Sequence, residues 1–160
     1  AIRFARGVAF PEIKEDINLQ YGKGQILKEG SKDGNNAGGN VAIIAVGSMV
    51  EETYKAIDML EKENVHPAFV NPVFIKPMDT ELIKRVAENH KHIIVVEEGI
   101  KKGGFGESVE TFILESGIDA DVQVMAIDDR FVEQGNVALL REEIGISYKN
   151  IYEKVMELTR

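Results

Sequence analysis

One glycine-rich turn stands where a strand is predicted to give way to a helix, which is a place where phosphate groups bind well. Residues Gly103–Gly106 read Gly-Gly-Phe-Gly. The dinucleotide-binding fingerprint needs a third glycine, but Val109 occupies that position. No Lys-Ser or Lys-Thr pair follows, so the turn is not a P-loop either. The pattern favours a tight strand-to-helix connection over a ligand cradle.

Two adjacent carboxylates precede this turn, at the predicted end of the strand. Neighbouring strand residues point to opposite faces, so Glu97 and Glu98 are poorly placed to share a substrate as an acid–base pair. A structural role is favoured, in which one of the two contacts the start of the following helix. Asp128-Asp129-Arg130 follows the next strand, where α/β proteins often face ligands. A local ion pair or a helix-entry turn is favoured there.

The remaining candidates are cationic or metal-binding side chains. His66, His90 and His92 cluster only in sequence and lack further ligands at zinc-site spacing. Arg3 and Arg6 are three residues apart, so in an extended segment they point to opposite faces. Residue chemistry alone makes them surface arginines. The residues by themselves therefore predict no complete active site and no cofactor motif.

Four short apolar runs rich in β-branched residues predict strands buried on both faces, the pattern typical of a parallel sheet. A fifth strand candidate is Gln25–Lys28, while residues 30–40 have the composition of a loop. Residues 2–5 form a weaker edge-strand candidate. The four runs are Val41–Val46, Ala68–Val70, His92–Val96 and Val122–Ile127.

Helical periodicity separates these runs. Ser48 and Glu51 match a capping box, Asp79 is a good N-cap, and Gly117 a good C-cap. Two more helices are predicted near 137–144 and 148–158. Strands alternate with helices four times, which predicts an α/β fold with helices on both faces of the sheet.

Composition narrows the functional classes. The chain has 160 residues, 44% of them hydrophobic, which suits a single domain over 1–160 with 1–40 as its leading segment and loop. The lack of cysteine excludes thiolate chemistry and disulfides. A net charge of −8 argues against nucleic-acid binding, and no apolar run is long enough to span a membrane. We expect a cytoplasmic domain. Because the sequence begins without Met, we also expect it to be a piece of a longer protein.

Five phrases in order along the chain resemble the C-terminal part of the 1-deoxy-D-xylulose-5-phosphate synthases. A looser resemblance extends to all transketolase-type C-terminal domains, including those of 2-oxoacid dehydrogenase beta subunits. Ala5 departs from the usual Pro, Val73 departs from the usual Arg, and the 31–40 loop is longer than typical. The phrases are Ala1–Gly7, Gly22–Gly24 continued by Glu29-Gly30 and Val46–Val50, Phe74–Asp79, Val96–Gly99 with Gly103–Gly106, and Asp129–Gly135.

The resemblance implies a three-layer α/β/α domain with a five-stranded mixed sheet, whose single antiparallel strand falls in the N-terminal stretch. It implies a homodimeric parent enzyme of isoprenoid precursor synthesis that joins pyruvate and D-glyceraldehyde 3-phosphate with loss of carbon dioxide. Thiamine diphosphate and Mg²⁺ would be bound by other domains, so no cofactor, metal or catalytic residue is carried onto this chain. One substrate residue is carried over: Arg6, which matches the arginine that helps to hold the aldehyde's phosphate.

Other functions stay open at this point. The chain resembles, more loosely, a domain of another transketolase-type enzyme or of a dehydrogenase beta subunit. A free-standing interaction domain is the alternative from a different class.

Overall fold

A computed structural model describes residues 19–31 and 38–159. The predicted strand at 2–5, both N-terminal arginines and most of the predicted 30–40 loop lie outside these residues. The described chain forms five strands and five helices. They are β1 (Gln25–Lys28), β2 (Val41–Ala45), α1 (Met49–Lys62), β3 (Ala68–Asn71), α2 (Thr80–Asn89), β4 (His92–Ile100), α3 (Phe105–Glu115), β5 (Asp121–Ile127), α4 (Val137–Glu143) and α5 (Tyr148–Leu158).

The five strands form one mixed sheet in the order β1-β3-β2-β4-β5. Strands β2, β3, β4 and β5 are mutually parallel, and β1 runs antiparallel to β3 at the edge, with Gln25 opposite Asn71. The α/β class and the antiparallel strand in the N-terminal stretch are therefore confirmed. Because the four parallel strands point the same way, the sheet has a carboxyl edge, where they end, and an amino edge, where they begin.

Alternate residues of the central strands face two separate apolar layers, which explains why these runs are continuously hydrophobic. On β2, Val41, Ile43 and Ala45 pack with α1 and α5. Ala42 and Ile44 point the other way, toward α2 and α3. All five residues are fully buried. The sheet is thus covered on both faces, as predicted.

The local signals at the helix ends have a mixed outcome. Asp79 caps α2 by accepting the backbone N–H of Leu82, and Gly117 follows α3 with a φ of 67°, so both predictions are confirmed. The capping box at Ser48 is wrong, because its hydroxyl makes no capping bond and donates to Glu98 instead.

None of the helices in the two described ranges joins sufficient length to sufficient apolar character for a membrane crossing.

Candidate functional site

The chain order creates a crevice at the carboxyl edge of the sheet. Neighbouring strands β2 and β4 are followed by α1 on one face and α3 on the other. In open α/β sheets, such a switch point between strands is the usual place for a ligand, because the two connections diverge and leave room between them. The side chains that follow β2 and end β4 therefore decide whether this domain can bind anything there.

A guanidinium occupies this position. Arg141 of α4 donates from Nε to Glu98 Oε1 and from Nη2 to Glu98 Oε2, each at 3.0 Å. The Ser48 hydroxyl, just after β2, donates to the same carboxylate over 2.6 Å. A bidentate arginine–carboxylate pair of this kind combines strong bonds with a fixed orientation. It ties α4 to the end of β4.

A second carboxylate completes the cluster. Glu52 of α1 is 6% exposed, and its Oε1 lies 3.4 Å from Arg141 Nη1 and 3.2 Å from Lys55 Nζ. Its Oε2 accepts the backbone N–H of Tyr148, at the start of α5, over 2.9 Å. Burying a carboxylate is costly unless it has hydrogen-bond and charge partners of this kind. Glu52 thereby joins the starts of α1 and α5 to α4. We call Ser48, Glu52, Glu98 and Arg141 the Arg141 cluster.

Protonation within the cluster follows from these contacts. Burial opposes ionisation of Glu98, but hydrogen bonds from Arg141 and Ser48 outweigh it and hold the pKa of Glu98 below its ordinary value. Burial also disfavours the charged form of Arg141, yet Glu98 and Glu52 raise its pKa. Both groups therefore stay charged at neutral pH, and neither is suited to transfer protons. The cluster therefore has a structural role, and it occupies the switch-point crevice.

The glycine turn next to it is also filled from within. Glu97 is buried and accepts the backbone N–H groups of Phe105 and Gly106, at 3.1 and 2.8 Å. These are the amides that a bound phosphate would use. A Cβ at Gly104 would lie 2.5 Å from Glu97 Oε1, and one at Gly106 would collide with Val124. The glycines therefore make room for the protein's own carboxylate and for β5.

This geometry confirms the structural interpretation of Glu97 and Glu98. The two carboxylates point to opposite faces and join separate networks, and Glu97 caps the following helix as expected. No local pattern pointed to Arg141 or Glu52, because Arg141 contacts Glu98 across 43 residues of chain and Glu52 across 89. Only the position of Glu98 at a strand end pointed to this place.

The other candidate groups remain apart. His66 contacts Asn64, His90 the Val86 carbonyl, and His92 Asp121. Within residues 19–31 and 38–159 no three His, Asp or Glu side chains are grouped closely enough to hold a metal ion.

At Asp128-Asp129-Arg130 the Arg130 N–H donates to the Asp128 carbonyl, which makes a turn at the end of β5. The three side chains form no ion pair with other described residues, and the turn does not lead directly into a helix, because the next helix begins only at Val137. A turn is therefore observed, but neither the local ion pair nor the helix-entry turn. Arg6, the substrate residue implied by resemblance, lies outside the described part of the chain.

A strained turn follows β3 at the same edge. Val73 has a φ of 58°, a region that β-branched residues rarely adopt. The Asn71 side chain accepts the Val73 N–H, and the Phe74 N–H bonds back to the Pro72 carbonyl. Phe74 contacts Tyr21 edge-on, with ring centroids 5.5 Å apart. Backbone strain of this sort persists where the surrounding contacts impose it, and it concentrates at functional sites.

Asp79 ties the segment before β1 to the start of α2. One carboxylate oxygen accepts the Gly24 N–H and the other the Leu82 N–H, at 3.1 and 3.2 Å. Lys23 Nζ lies 3.3 Å away. Burial opposes ionisation of Asp79, but these three donors outweigh it and lower its pKa below the ordinary 3.8. The sequence predicted the helix cap and missed the bond to Gly24.

The fold and the closed switch point define a class: a doubly wound α/β domain with one antiparallel edge strand, without a cofactor cradle in its described residues. The family described as "Transketolase, C-terminal domain" matches residues 28–151. The chain belongs to this family of transketolase C-terminal domains.

Comparisons with individual proteins agree. The chain is 36% identical over 162 residues to a 1-deoxy-D-xylulose-5-phosphate synthase of Dehalococcoides mccartyi, and 36% identical over 156 residues to one of Alkaliphilus oremlandii. These matches cover 99% and 97% of this chain but only 24% of each relative. Among solved structures, a split gene transketolase, described as an inactive beta4 tetramer, superposes with a TM-score of 0.76 at 28% identity. That match covers 92% of this chain and 45% of the other.

Proposed function

We propose that this chain is the C-terminal domain of a 1-deoxy-D-xylulose-5-phosphate synthase. The parent enzyme would join pyruvate and D-glyceraldehyde 3-phosphate with loss of carbon dioxide, as a cytoplasmic homodimer that supplies isoprenoid precursors. The observation that carries the proposal is the match to the C-terminal part of these synthases across 99% of the chain. Because the chain spans about a quarter of their length, the activity belongs to the proposed parent protein.

The described residues do not fit thiamine diphosphate or Mg²⁺. The amides at the start of α3, which are the best-placed diphosphate donors, already bond to Glu97. The switch-point crevice holds Arg141, and the described residues offer no cluster of metal ligands. We therefore place both cofactors in other domains of the parent and derive no catalytic step from the residues described. The 160-residue chain alone is expected to be inactive.

Arg6 is the residue of this chain that we propose to touch substrate. A guanidinium binds two phosphate oxygens through parallel charge-assisted bonds, which a lysine cannot match. Gly7 beside it lets the backbone approach a ligand closely. Arg3 points oppositely if the segment is extended, so it serves as the matched control.

The experiment measures steady-state kinetics of the full-length enzyme. Arg6→Ala removes a contact worth about 1.5–3 kcal/mol, which lowers kcat/KM for the phosphorylated aldehyde about 10- to 150-fold. The KM for pyruvate stays unchanged, since pyruvate carries no phosphate, and Arg3→Ala leaves both substrates unaffected. Unchanged aldehyde kinetics together with a lower melting temperature in Arg6→Ala would make Arg6 a structural residue.

The structural neighbour, a split gene transketolase, supports a second candidate function for the parent protein, another transketolase-type activity. A donor substrate other than pyruvate would separate the two. If the purified full-length protein turned over a ketose phosphate and not pyruvate, the wider transketolase assignment would stand and the synthase would not. A reading frame that starts at residue 1 would favour the free-standing interaction domain.

A further inference from the structure

The large apolar side chains that remain exposed are concentrated at the carboxyl edge of the sheet. Residues 72–78, 101–104 and 128–136 follow the ends of β3, β4 and β5, and Ile100 is the last residue of β4. Residues 19–24 lead into β1 beside the end of β3. Within the described ranges only Leu114, at the far end of α3, is a large apolar side chain exposed elsewhere. The main members at this edge are Tyr21, Ile75, Ile100, Phe131, Val137 and Leu139, which we call the apolar face.

Helix α4 differs from an ordinary surface helix, because it turns a charged side chain toward the protein and apolar side chains toward solvent. None of its residues is buried in the core, and its inward contact is Arg141 with Glu98 and Glu52. Two of its apolar residues, Val137 and Leu139, are 55% and 67% exposed, while Leu140 is half-buried. A surface helix ordinarily presents the reverse arrangement, with apolar residues inside and charges in water. The exposed side of α4 therefore has the character of an interface.

The segment that leads into α4 has the same character. Phe131 is fully exposed, and every residue from 131 to 139 is exposed. The Arg141 cluster and the Asn136 cap on the N–H groups of Ala138 and Leu139 nevertheless fix the helix that this segment enters. Several large apolar side chains held exposed on a fixed scaffold are typical of a site that binds another protein surface.

The comparisons indicate what covers this face. In the synthases the matching region is the C-terminal part, and about three quarters of each polypeptide lies outside it. The described chain begins at Leu19, which is on the carboxyl edge and 61% exposed. The described part of the chain is therefore entered at the carboxyl edge, the same edge that carries the apolar face.

We propose that the apolar face seats the domain that precedes this one in the parent polypeptide, through a matching apolar surface on that domain. The proposal rests on the proposed function only in requiring a longer, synthase-like parent. It assigns to α4 and to residues 128–136 the role of an interdomain contact, with the Arg141 cluster as the scaffold that holds them in position.

Cysteine accessibility in the full-length protein tests this contact. These 160 residues contain no cysteine, so Phe131→Cys and Val137→Cys place new thiols on the face, and Leu114→Cys, also exposed, is the control on the opposite edge. Each variant is labelled with a maleimide, and the rate is followed by mass spectrometry of the peptide that carries the new thiol, with the urea-unfolded protein as reference. We expect both reporters on the face to react at least about tenfold more slowly than the control, since labelling then needs the domains to separate.

Equal rates at the three positions would overturn the proposal. Protection that vanishes on dilution to the monomer would assign the face to a second copy of the chain, which overturns it as well. Synthase activity with unprotected reporters would remove the interdomain contact and leave the proposed function standing. Protected reporters in a protein without synthase activity would leave the interdomain contact standing and remove the proposed function.

Discussion

The two edges of the sheet differ in where their charged side chains lie. At the amino edge, ion pairs such as Lys91–Asp119 and Lys28–Glu61 lie on the surface, where water and salt weaken them. At the carboxyl edge, Glu52 and Glu97 are buried within hydrogen-bond networks while apolar side chains face outward. Charge inside and apolar surface outside is an arrangement that solvent does not favour. The difference teaches that the amino edge has an ordinary solvent-exposed surface, whereas the carboxyl edge has the character of a protein–protein interface.

The largest expected effect comes from removing the Arg141 guanidinium. Arg141→Met deletes the bonds to Glu98 and leaves Glu52 buried with one cation fewer, so we expect the 160-residue chain to lose about 2–3 kcal/mol of unfolding free energy. Urea denaturation measures this loss, and we expect the unfolding free energy to depend equally steeply on urea concentration in both proteins.

The matched control is at the other edge. Lys91→Met removes a pair whose Asp119 side chain is 98% exposed, so only a small loss is expected in low salt and none in high salt. Equal losses at the two edges would mean that the Arg141 cluster is no more than another surface ion pair.

A somewhat smaller loss is expected where α3 begins. A methyl group at Gly106 must displace Val124 of β5, so Gly106→Ala should cost about 1–3 kcal/mol, as overpacking does. At the other end of α3, Gly117 has open space around it and a φ of 67°, so Gly117→Ala should cost about 1 kcal/mol from backbone strain alone. Both are measured by urea denaturation. If Gly117→Ala proved the more damaging, the close packing between α3 and β5 would be wrong.

The sequence anticipated the parts of the molecule that local rules control. Continuous apolar runs marked β2 to β5, Gln25–Lys28 was placed correctly, and Asp79 was identified as a cap. The extension of β4 to Ile100 was missed, because Glu97, Glu98 and Gly99 do not resemble a buried strand.

The switch-point site was beyond local rules for a different reason. Ser48 matched a capping box, yet its backbone is already helical, with φ −60° and ψ −21°, so the hydroxyl makes no cap and donates to Glu98 instead. That partner, like Arg141, is distant in sequence, and nothing in the spacing of residues records which loops meet at the end of a sheet.

Two residues with a positive φ sharpen the comparison further. Val73 follows β3 at the carboxyl edge and Asn64 precedes it at the amino edge, each with a φ of 58°. Glycine relieves the strain of a β-branched residue there, so we expect Val73→Gly to raise the unfolding free energy by about 0.5–1 kcal/mol. Asn64→Gly should change it by only a few tenths of a kcal/mol, because asparagine tolerates this region. A destabilised Val73→Gly in urea denaturation would show that the Val73 side chain contributes more by its packing than its backbone costs.

The smallest expected effects concern acid and salt, and they separate the two edges by mechanism. The Lys91 ammonium lowers the pKa of Asp119, and the Gly24 and Leu82 amides with Lys23 outweigh burial to lower that of Asp79. Because both folded-state values lie below the ordinary 3.8, each carboxylate stabilises the fold above that pH, and its contribution is lost as the pH falls through the lowered pKa.

Salt distinguishes the two aspartates. In about 1 M NaCl the screening length is near 3 Å, which removes the contribution of the exposed Lys91–Asp119 pair and leaves the backbone bonds to Asp79 intact. Asp79→Asn retains a capping oxygen but loses the second acceptor, so it should destabilise the chain at pH 6 in both low and high salt, and hardly at all in strong acid. Asp119→Asn should matter only in low salt. Urea denaturation of both variants from pH 6 down to about pH 2 checks this. An Asp119 effect that survives high salt would mean that the amino edge also holds its charges out of reach of the solvent.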